Sequence, residues 1–472
     1  MNVIVQPSAV PAAGRDTTNY HISSRIDRLP LTRVVWELAI LVEITWGFLI
    51  VDTDGIAARL YPFVWRPMGI MTTNQYAVIQ ALQVGLGVLF GAYLMSQVAD
   101  RYGRRTAIML STALGGFCLW PFAFITDFAA LVVFSVLSTL GVGGIVATHA
   151  VYLSEMSSQP VRNKTLLTSQ ASTAVVGVVI MALAAKMFPH YWKEFIFFGV
   201  AVQVLILLPL QYFRLPESPR WLDAHGRGAE ADAILKKLEQ RSEAIVGPLE
   251  APDFERKSFE PDVKGRLSEI ITHPIYRARS ILILVCWLLA YPGIIYGGGA
   301  FTSIYMVDHG KDAEFVFWLS VVGSVVVFLG FLANARLGER VERRDVLLFA
   351  AVMFAVGSVI QYFMPTTAGF IVGGLMSRVG LYLFLFNLYN YTAMAFPTRI
   401  RSAAVAWTDG LGHLGAWVGI TSLGPLYQWG PNHLGWFLFI IIPGALVPGL
   451  LIKIFGIKQS DRVLEEISGP VK

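Results

Sequence analysis

The sequence predicts an all-α membrane fold of twelve transmembrane helices arranged as two similar six-helix bundles. Three observations carry that prediction. The 472-residue chain is 55% hydrophobic and only 15% charged, with a mean hydropathy of +0.58, where a soluble domain carries about 25% charged residues. Its charges cluster between nearly uncharged runs long enough to cross a bilayer. A charged loop motif also recurs once, half a chain later.

A helix needs about 20 mainly apolar residues to cross about 30 Å of hydrocarbon. Twelve runs qualify, at about 34–60, 76–98, 106–126, 128–152, 166–186, 194–213, 279–306, 315–336, 345–363, 368–393, 402–423 and 433–454. The long polar interruption reads as a linker with helix-like stretches around 228–242 and 264–271. The expected organisation is an N-terminal segment (1–33), a first bundle (34–213), the linker (214–278), a second bundle (279–454) and a tail (455–472). The first 33 residues are polar and carry Arg15, Arg25, Arg28 and Arg33, with no short apolar core before a small-residue site. The first apolar run is therefore expected to be kept as a membrane helix. Cys118 and Cys286 both fall in apolar runs, so no disulfide framework or zinc pattern is read.

Orientation follows from the basic residues. With both ends cytoplasmic, the opposite side holds Arg59, Arg66, Lys186, Lys193 and Lys311, and Arg378 lies within a span, leaving 31 of the 37 Lys and Arg on the cytoplasmic side. A nucleic-acid surface does not segregate charge in this way. The expected location is the cell membrane, multi-pass, with cytoplasmic termini.

The loop after span 2 runs from Ser96 through Asp100-Arg101-Tyr102-Gly103 to Arg104-Arg105. That after span 8 runs from Ala335 through Glu339-Arg340-Val341-Glu342 to Arg343-Arg344, an offset of 239 from Asp100 to Glu339. The same offset carries Tyr152 onto Tyr391 and Arg162 onto Arg401. Six spans per half in one orientation imply a pseudo-two-fold axis along the membrane normal, with a central site at the repeat interface.

On these residues the chain resembles the major facilitator superfamily over its whole length. The Asp100–Arg105 string is similar to that superfamily's loop signature between spans 2 and 3, with Ser96 where glycine is usual. Pro216-Glu217-Ser218-Pro219-Arg220-Trp221-Leu222 resembles the sugar-porter branch, as does Tyr152-x-x-Glu155 followed by Arg162. After span 12 that branch's Pro-Glu-Thr-Lys-Gly string is replaced by Ile457-Lys458-Gln459-Ser460-Asp461, while Leu464-Glu465-Glu466 is kept. The Arg25-Ile26-Asp27-Arg28-Leu29-Pro30 entry and the acid-bearing first span look more like the organic-anion and aromatic-acid symporters. The resemblance implies transport by alternating access and a span 1 acid that takes up the coupling proton.

Asp100, Arg101, Arg104, Arg105, Glu155, Arg162, Glu217, Arg220, Glu339, Arg340, Arg343 and Arg401 gather at the cytoplasmic mouth. Isolated arginines there only hold topology. Alternating acids and bases on both halves offer each half's carboxylates to the other's guanidiniums, and such pairs must break when the mouth opens. They are expected to gate, latching the outward-open state.

Ionisable groups inside spans are read as functional, with a partner to be named. In span 1, Asp52 and Asp54 are the proton-coupling candidates, and Glu43 reads as a structural acid. Arg378 stands near the middle of span 10 and needs an anion. Either an internal acid supplies it, Asp409 being one candidate, or the substrate's carboxylate does. Asp409 and His413 share a helix face on span 11, as a proton relay or as a structural hydrogen bond. His149 reads as a helix-packing histidine. Gln170, Asn387, Asn390 and Tyr296 are candidate substrate ligands, since amides in hydrocarbon need partners. The Gly297-Gly298-Gly299 run after Pro292 lets span 7 bend as a gate or pack closely.

No glycine-rich phosphate loop, HExxH or paired-cysteine motif occurs, and the linker is too short for an ordinary catalytic domain. The expected class is a transporter, not an enzyme, moving a small carboxylate or aromatic acid with protons. A sugar or polyol porter and a non-transporting receptor are the alternatives. No cofactor beyond the proton is expected. The expected partners are the bilayer and a small-molecule substrate, with no nucleic acid, and the expected state is a monomer.

Overall fold

The computed structural model describes residues 17–158, 174–252, 268–337, 341–396 and 398–459. Among them all regular structure is helical. Among the described residues, ten helices are long and apolar enough to cross a membrane, from Arg33–Trp65 to Pro431–Phe455. Ala174–Met187 is the described part of span 5, and Thr398–Gln428, which carries Asp409 and His413, is span 11. Helices suit this setting because hydrocarbon offers no partner to an unbonded backbone N–H.

Local chemistry marks the boundaries. The Thr72 hydroxyl accepts from the Gln75 N–H while the Gln75 side chain returns to the Thr72 N–H, closing a capping box at the start of span 2. Asp127 and Thr366 cap spans 4 and 10 in the same sense. Prolines open the helices from within, because proline cannot donate to the helical ladder. Wide π turns run over Tyr61–Trp65, with Pro62, and over Tyr291–Phe301, with Pro292 and the three glycines. A third covers Leu49–Asp54 in span 1. Such insertions re-aim side chains and cluster at functional sites.

Small residues let the spans approach. A Cβ on Gly141 would meet the Ser111 carbonyl of span 3, and one on Gly143 the Val88 carbonyl of span 2. In the other half, Gly412 and Gly415 of span 11 abut Trp287 and Leu288 of span 7. This is the close contact that small residues permit.

The linker helices Pro219–Ala224 and Gly228–Val246 dock on the first bundle through the N-terminal helix Thr17–Asp27. Ile22, Ile26 and Leu29 are buried with Trp221, Leu235 and Leu238. Glu239 accepts from Arg25 at 2.8 Å and Arg28 at 2.7 Å. The apolar positions of this otherwise polar segment, Ile26 and Leu29 of the Arg25–Pro30 string among them, form one face that the linker covers.

Among the described residues, contacts joining the halves gather at the end away from the linker. Arg66 pairs with Asp308 at 2.5 Å and Lys186 with Glu314 at 2.7 Å. Gln428 donates to Asn74, and Phe63 and Phe188 pack on Phe317. Deeper in, Trp417 of span 11 lies against Gly85 of span 2.

Candidate functional site

At the linker end, Gly103 turns the chain with φ +104°, a conformation that disfavours side chains. A Cβ there would collide with Glu217. The Glu217 carboxylate instead caps span 3, accepting the N–H groups of Arg104 (2.8 Å), Arg105 (3.2 Å) and Ser218 (2.9 Å). A carboxylate is favoured at a helix N-terminus. Burial nonetheless pushes the Glu217 carboxyl above its ordinary value, against the pull of those three N–H groups. Arg104 pairs with Asp100 at 2.9 Å and Glu155 at 3.2 Å, and Arg220 with Asp27 at 3.5 Å. Arg105 donates to the Tyr212 carbonyl, and Arg101 is exposed beside Tyr102.

These described pairs lie within the first bundle or between the linker and the N-terminal segment; the expected pairing of each half's carboxylates with the other's guanidiniums falls on residues not all described. Arg162, Glu339 and Arg340 lie outside the described residues, as does the side chain of Arg401.

In span 1 the wide turn puts Asp52 against span 6. Its carboxylate is fully buried, 3.5 Å from the Arg59 guanidinium, and accepts from Gln203 at 3.3 Å. Gly199 leaves the space it occupies. Arg59, counted from sequence with the loops, is 4% exposed inside the span and donates to the carbonyls of Val51 and Asp52, both at 2.6 Å. The Asp54 side chain lies outside the described residues. Glu43 is fully buried, and His149 stacks on Trp46 and bonds the Ile145 carbonyl, a packing role.

In the second half the widened turn of span 7 brings Tyr291 to span 11. Its hydroxyl donates to Asp409 at 2.6 Å and lies 3.2 Å from the Tyr389 hydroxyl. His413 stacks beside Tyr291 at 4.2 Å and bonds the Asp409 backbone carbonyl at 2.9 Å rather than its carboxylate. Trp287 packs on Tyr389 at 4.5 Å. The result is an aromatic wall with one carboxylate and one imidazole.

Arg378 sits across the glycine gap at Gly323, donating to the Ser320 carbonyl (3.1 Å) and hydroxyl (3.0 Å) of span 8. No described carboxylate pairs with it, so Asp409 is not its counter-ion. Asn387 is buried and bonds the Leu383 carbonyl of its own helix; Asn390 and Tyr296 are half-buried. Gln170 lies outside the described residues. Sequence reasoning passed over Arg59, Gln203, Tyr291 and Trp287 as site residues. A glutamine in span 6 and a tyrosine ahead of Pro292 were the available signals.

Two helix bundles closed at one end, with charged groups buried between and within them, define a membrane transporter of the major facilitator fold. More particularly, the chain belongs to the sugar (and other) transporter family, whose profile matches residues 58–468. It is 27% identical to a putative metabolite transport protein of Bacillus subtilis (strain 168), over 92% of this chain and 95% of that one. It is also 27% identical to the 4-hydroxybenzoate transporter of Pseudomonas putida, over 92% and 94%. Among solved structures it resembles the inward open xylose transporter from E. coli, with a TM-score of 0.69 at 14% identity, covering 92% of this chain and 99% of that one.

Proposed function

We propose that this transporter is a proton-coupled symporter of a small organic anion, an aromatic or other carboxylic acid. The observation that carries the reading is Arg378, a cation near mid-span whose described donors go to Ser320 and not to a carboxylate. A guanidinium presents a fork matched to a carboxylate, and transport sites leave one partner of a buried pair to the ligand. The relative named for 4-hydroxybenzoate supports an aromatic acid. Tyr389, half-buried with Tyr291 and Trp287 packed behind it, supplies a face for a ring, and Asp52, Asp54, Asp409 and His413 are the proton carriers in this reading. We place both termini and the linker in the cytoplasm of a cell-membrane monomer, on the strength of the basic-residue bias. The conformation is then inward-facing, closed toward the exterior.

Uptake of labelled 4-hydroxybenzoate and benzoate into proteoliposomes under an imposed pH gradient tests this. Accumulation driven by outside acid, abolished by a protonophore and by Arg378→Ala, is expected. Gradient-independent equilibration would remove the coupling, and full uptake in Arg378→Ala would remove the anion site. The same two bonds allow a second reading, a sugar or polyol porter in which Ser320 alone satisfies Arg378. Labelled hexoses in the same vesicles separate the two, and no uptake of any solute would leave a receptor.

A further inference from the structure

At the end away from the linker, Asp308 closes span 7 between the two halves. One of its oxygens accepts from Arg66 of the first half at 2.5 Å. The other accepts from the Tyr427 hydroxyl at 2.8 Å and lies 3.5 Å from Nε2 of His433. The second imidazole nitrogen, Nδ1, is 2.7 Å from the Tyr427 carbonyl. A carbonyl and a carboxylate are both acceptors, and neutral imidazole has one N–H. The neutral ring meets the carbonyl with its Nδ1–H, and a second proton on Nε2 would face the Asp308 carboxylate.

The backbone holds His433 there deliberately. Asn432 (φ 51°) and His433 (φ 63°) are both left-handed, which costs non-glycine residues energy and marks functional positions. The Asn432 side chain donates to the Tyr305 hydroxyl, and His433 stacks on Tyr427 at 3.9 Å. The other groups facing it are the Tyr305 ring at 5.8 Å and, across Asp308, Arg66. His309 is turned to the Tyr305 carbonyl and the Phe370 ring. The His433 side chain is 25% exposed, so protons from that face reach it.

We propose that His433 is a proton-binding site that releases the Arg66–Asp308 latch, the proton competing with Arg66 as counter-charge to Asp308. His433 and Asp308 belong to one half and Arg66 to the other, so rocking the halves apart removes Arg66 and leaves His433 in place. In the closed state the imidazolium faces Asp308 and also Arg66, a like charge; in the open state it faces Asp308 alone. The proton is therefore held more tightly when this end is open, and acid on this face favours opening. Histidine titrates in the range, about pH 5 to 8, where such a switch works. The inference rests on alternating access and not on which solute is carried.

Spin labels at Met68→Cys and Met364→Cys, exposed on the two halves at this end, report the separation in nanodiscs without substrate, with Cys118 and Cys286 replaced by alanine. The closed distance is expected to dominate at pH 8. At pH 5 the open-to-closed ratio should rise roughly threefold to tenfold, the size of one partly screened charge–charge interaction. His433→Gln should stay closed at both. Arg66→Gln, on the other half, should open more readily and lose the pH response, which keeps the test valid if the histidine variant does not fold. Identical distributions at pH 5 and 8 in the native background, closing rather than opening in acid, or a response surviving in either variant would overturn the proposal. Substrate uptake would be untouched by that failure.

Discussion

The Arg59 guanidinium lies 3.5 Å from the Asp52 carboxylate, seven residues earlier on the same helix, and both side chains are almost wholly buried. The two partners are not equally dependent on each other. Arg59 also donates to two carbonyls, whereas among the described residues the carboxylate has only Gln203 besides the ion pair. Removing one partner of a buried pair costs about 3–5 kcal/mol, because the remaining charge is left in low dielectric. Arg59→Ala should therefore lower the melting temperature in detergent far more than Asp52→Asn. Equal losses in the two variants would show that the two partners depend on each other alike. Asp52→Asn should fold and lose gradient-driven accumulation while keeping solute exchange, read in the same proteoliposomes.

Glu217 supplies a second asymmetry. Its oxygen is the acceptor for three backbone N–H groups at the head of span 3, while burial raises its carboxyl above the ordinary value. The native state thus binds this proton more readily than the unfolded chain. Its contribution is largest below the unfolded value and falls as pH rises through the raised one. Glutamine keeps the accepting oxygen without the charge. Glu217→Gln should match or exceed wild-type stability at pH 7, and Glu217→Ala, which orphans the N–H groups, should lose about 1–3 kcal/mol. Denaturation of the two variants side by side decides it; a glutamine variant as weak as the alanine would refute the capping role.

Glu239 titrates in the opposite sense. Burial works to raise its carboxyl, but the Arg25 and Arg28 guanidiniums together hold it below the ordinary value. A depressed carboxylate stabilises above its unfolded value, and that contribution is lost as pH falls through the depressed one. The clasp between helix Thr17–Asp27 and helix Gly228–Val246 should loosen in acid. Amide protection factors over 17–27 should drop as pH is lowered, and should already be low at pH 7 in Glu239→Gln. Unchanged protection in that variant would mean that the apolar face of Ile22, Ile26 and Leu29 holds the helix alone.

The fold was legible because bilayer physics leaves few options. Length, hydropathy and the repeat at Asp100 and Glu339 fixed the spans and halves without tertiary detail. The site was legible only by residue type. Asp52 and Arg378 stood out as charges in hydrocarbon, but their partners did not. Arg59 reaches back to Asp52 across seven residues, past the widened turn over Leu49–Asp54. Arg378 meets Ser320 through a gap left by Gly323 on another span. The pairing of Arg66 with Asp308 spans 242 residues and has no local pattern at all. Sequence periodicity shows which face a residue occupies, not which helix lies opposite.

The closed end should open when its backbone contact is wedged. Span 11 approaches span 2 at Gly424, where an added Cβ would lie 2.7 Å from Asn74 Oδ1 and 2.9 Å from Asn74 Cα. A side-chain oxygen can swing aside, but a Cα cannot, so a side chain at 424 must part the two spans. The halves are joined here by Phe63 and Phe188 packing on Phe317 and by polar contacts that are individually weak, since exposed ion pairs contribute about 0–1 kcal/mol. Gly424→Val should then shift the protein toward the state open at this end without unfolding it. Cysteines placed on Phe63 and Phe317, which pack together at 5.2 Å in the closed form, should react faster with a membrane-impermeant thiol reagent in the Gly424→Val background. Gly85 is a softer control, because its added Cβ would lie 3.0 Å from the Trp417 ring, a side chain that can turn toward lipid. Gly85→Ala should leave that labelling rate nearly unchanged. Equal rates in Gly424→Val and the parent would mean that span 2 yields at Asn74 without parting the halves.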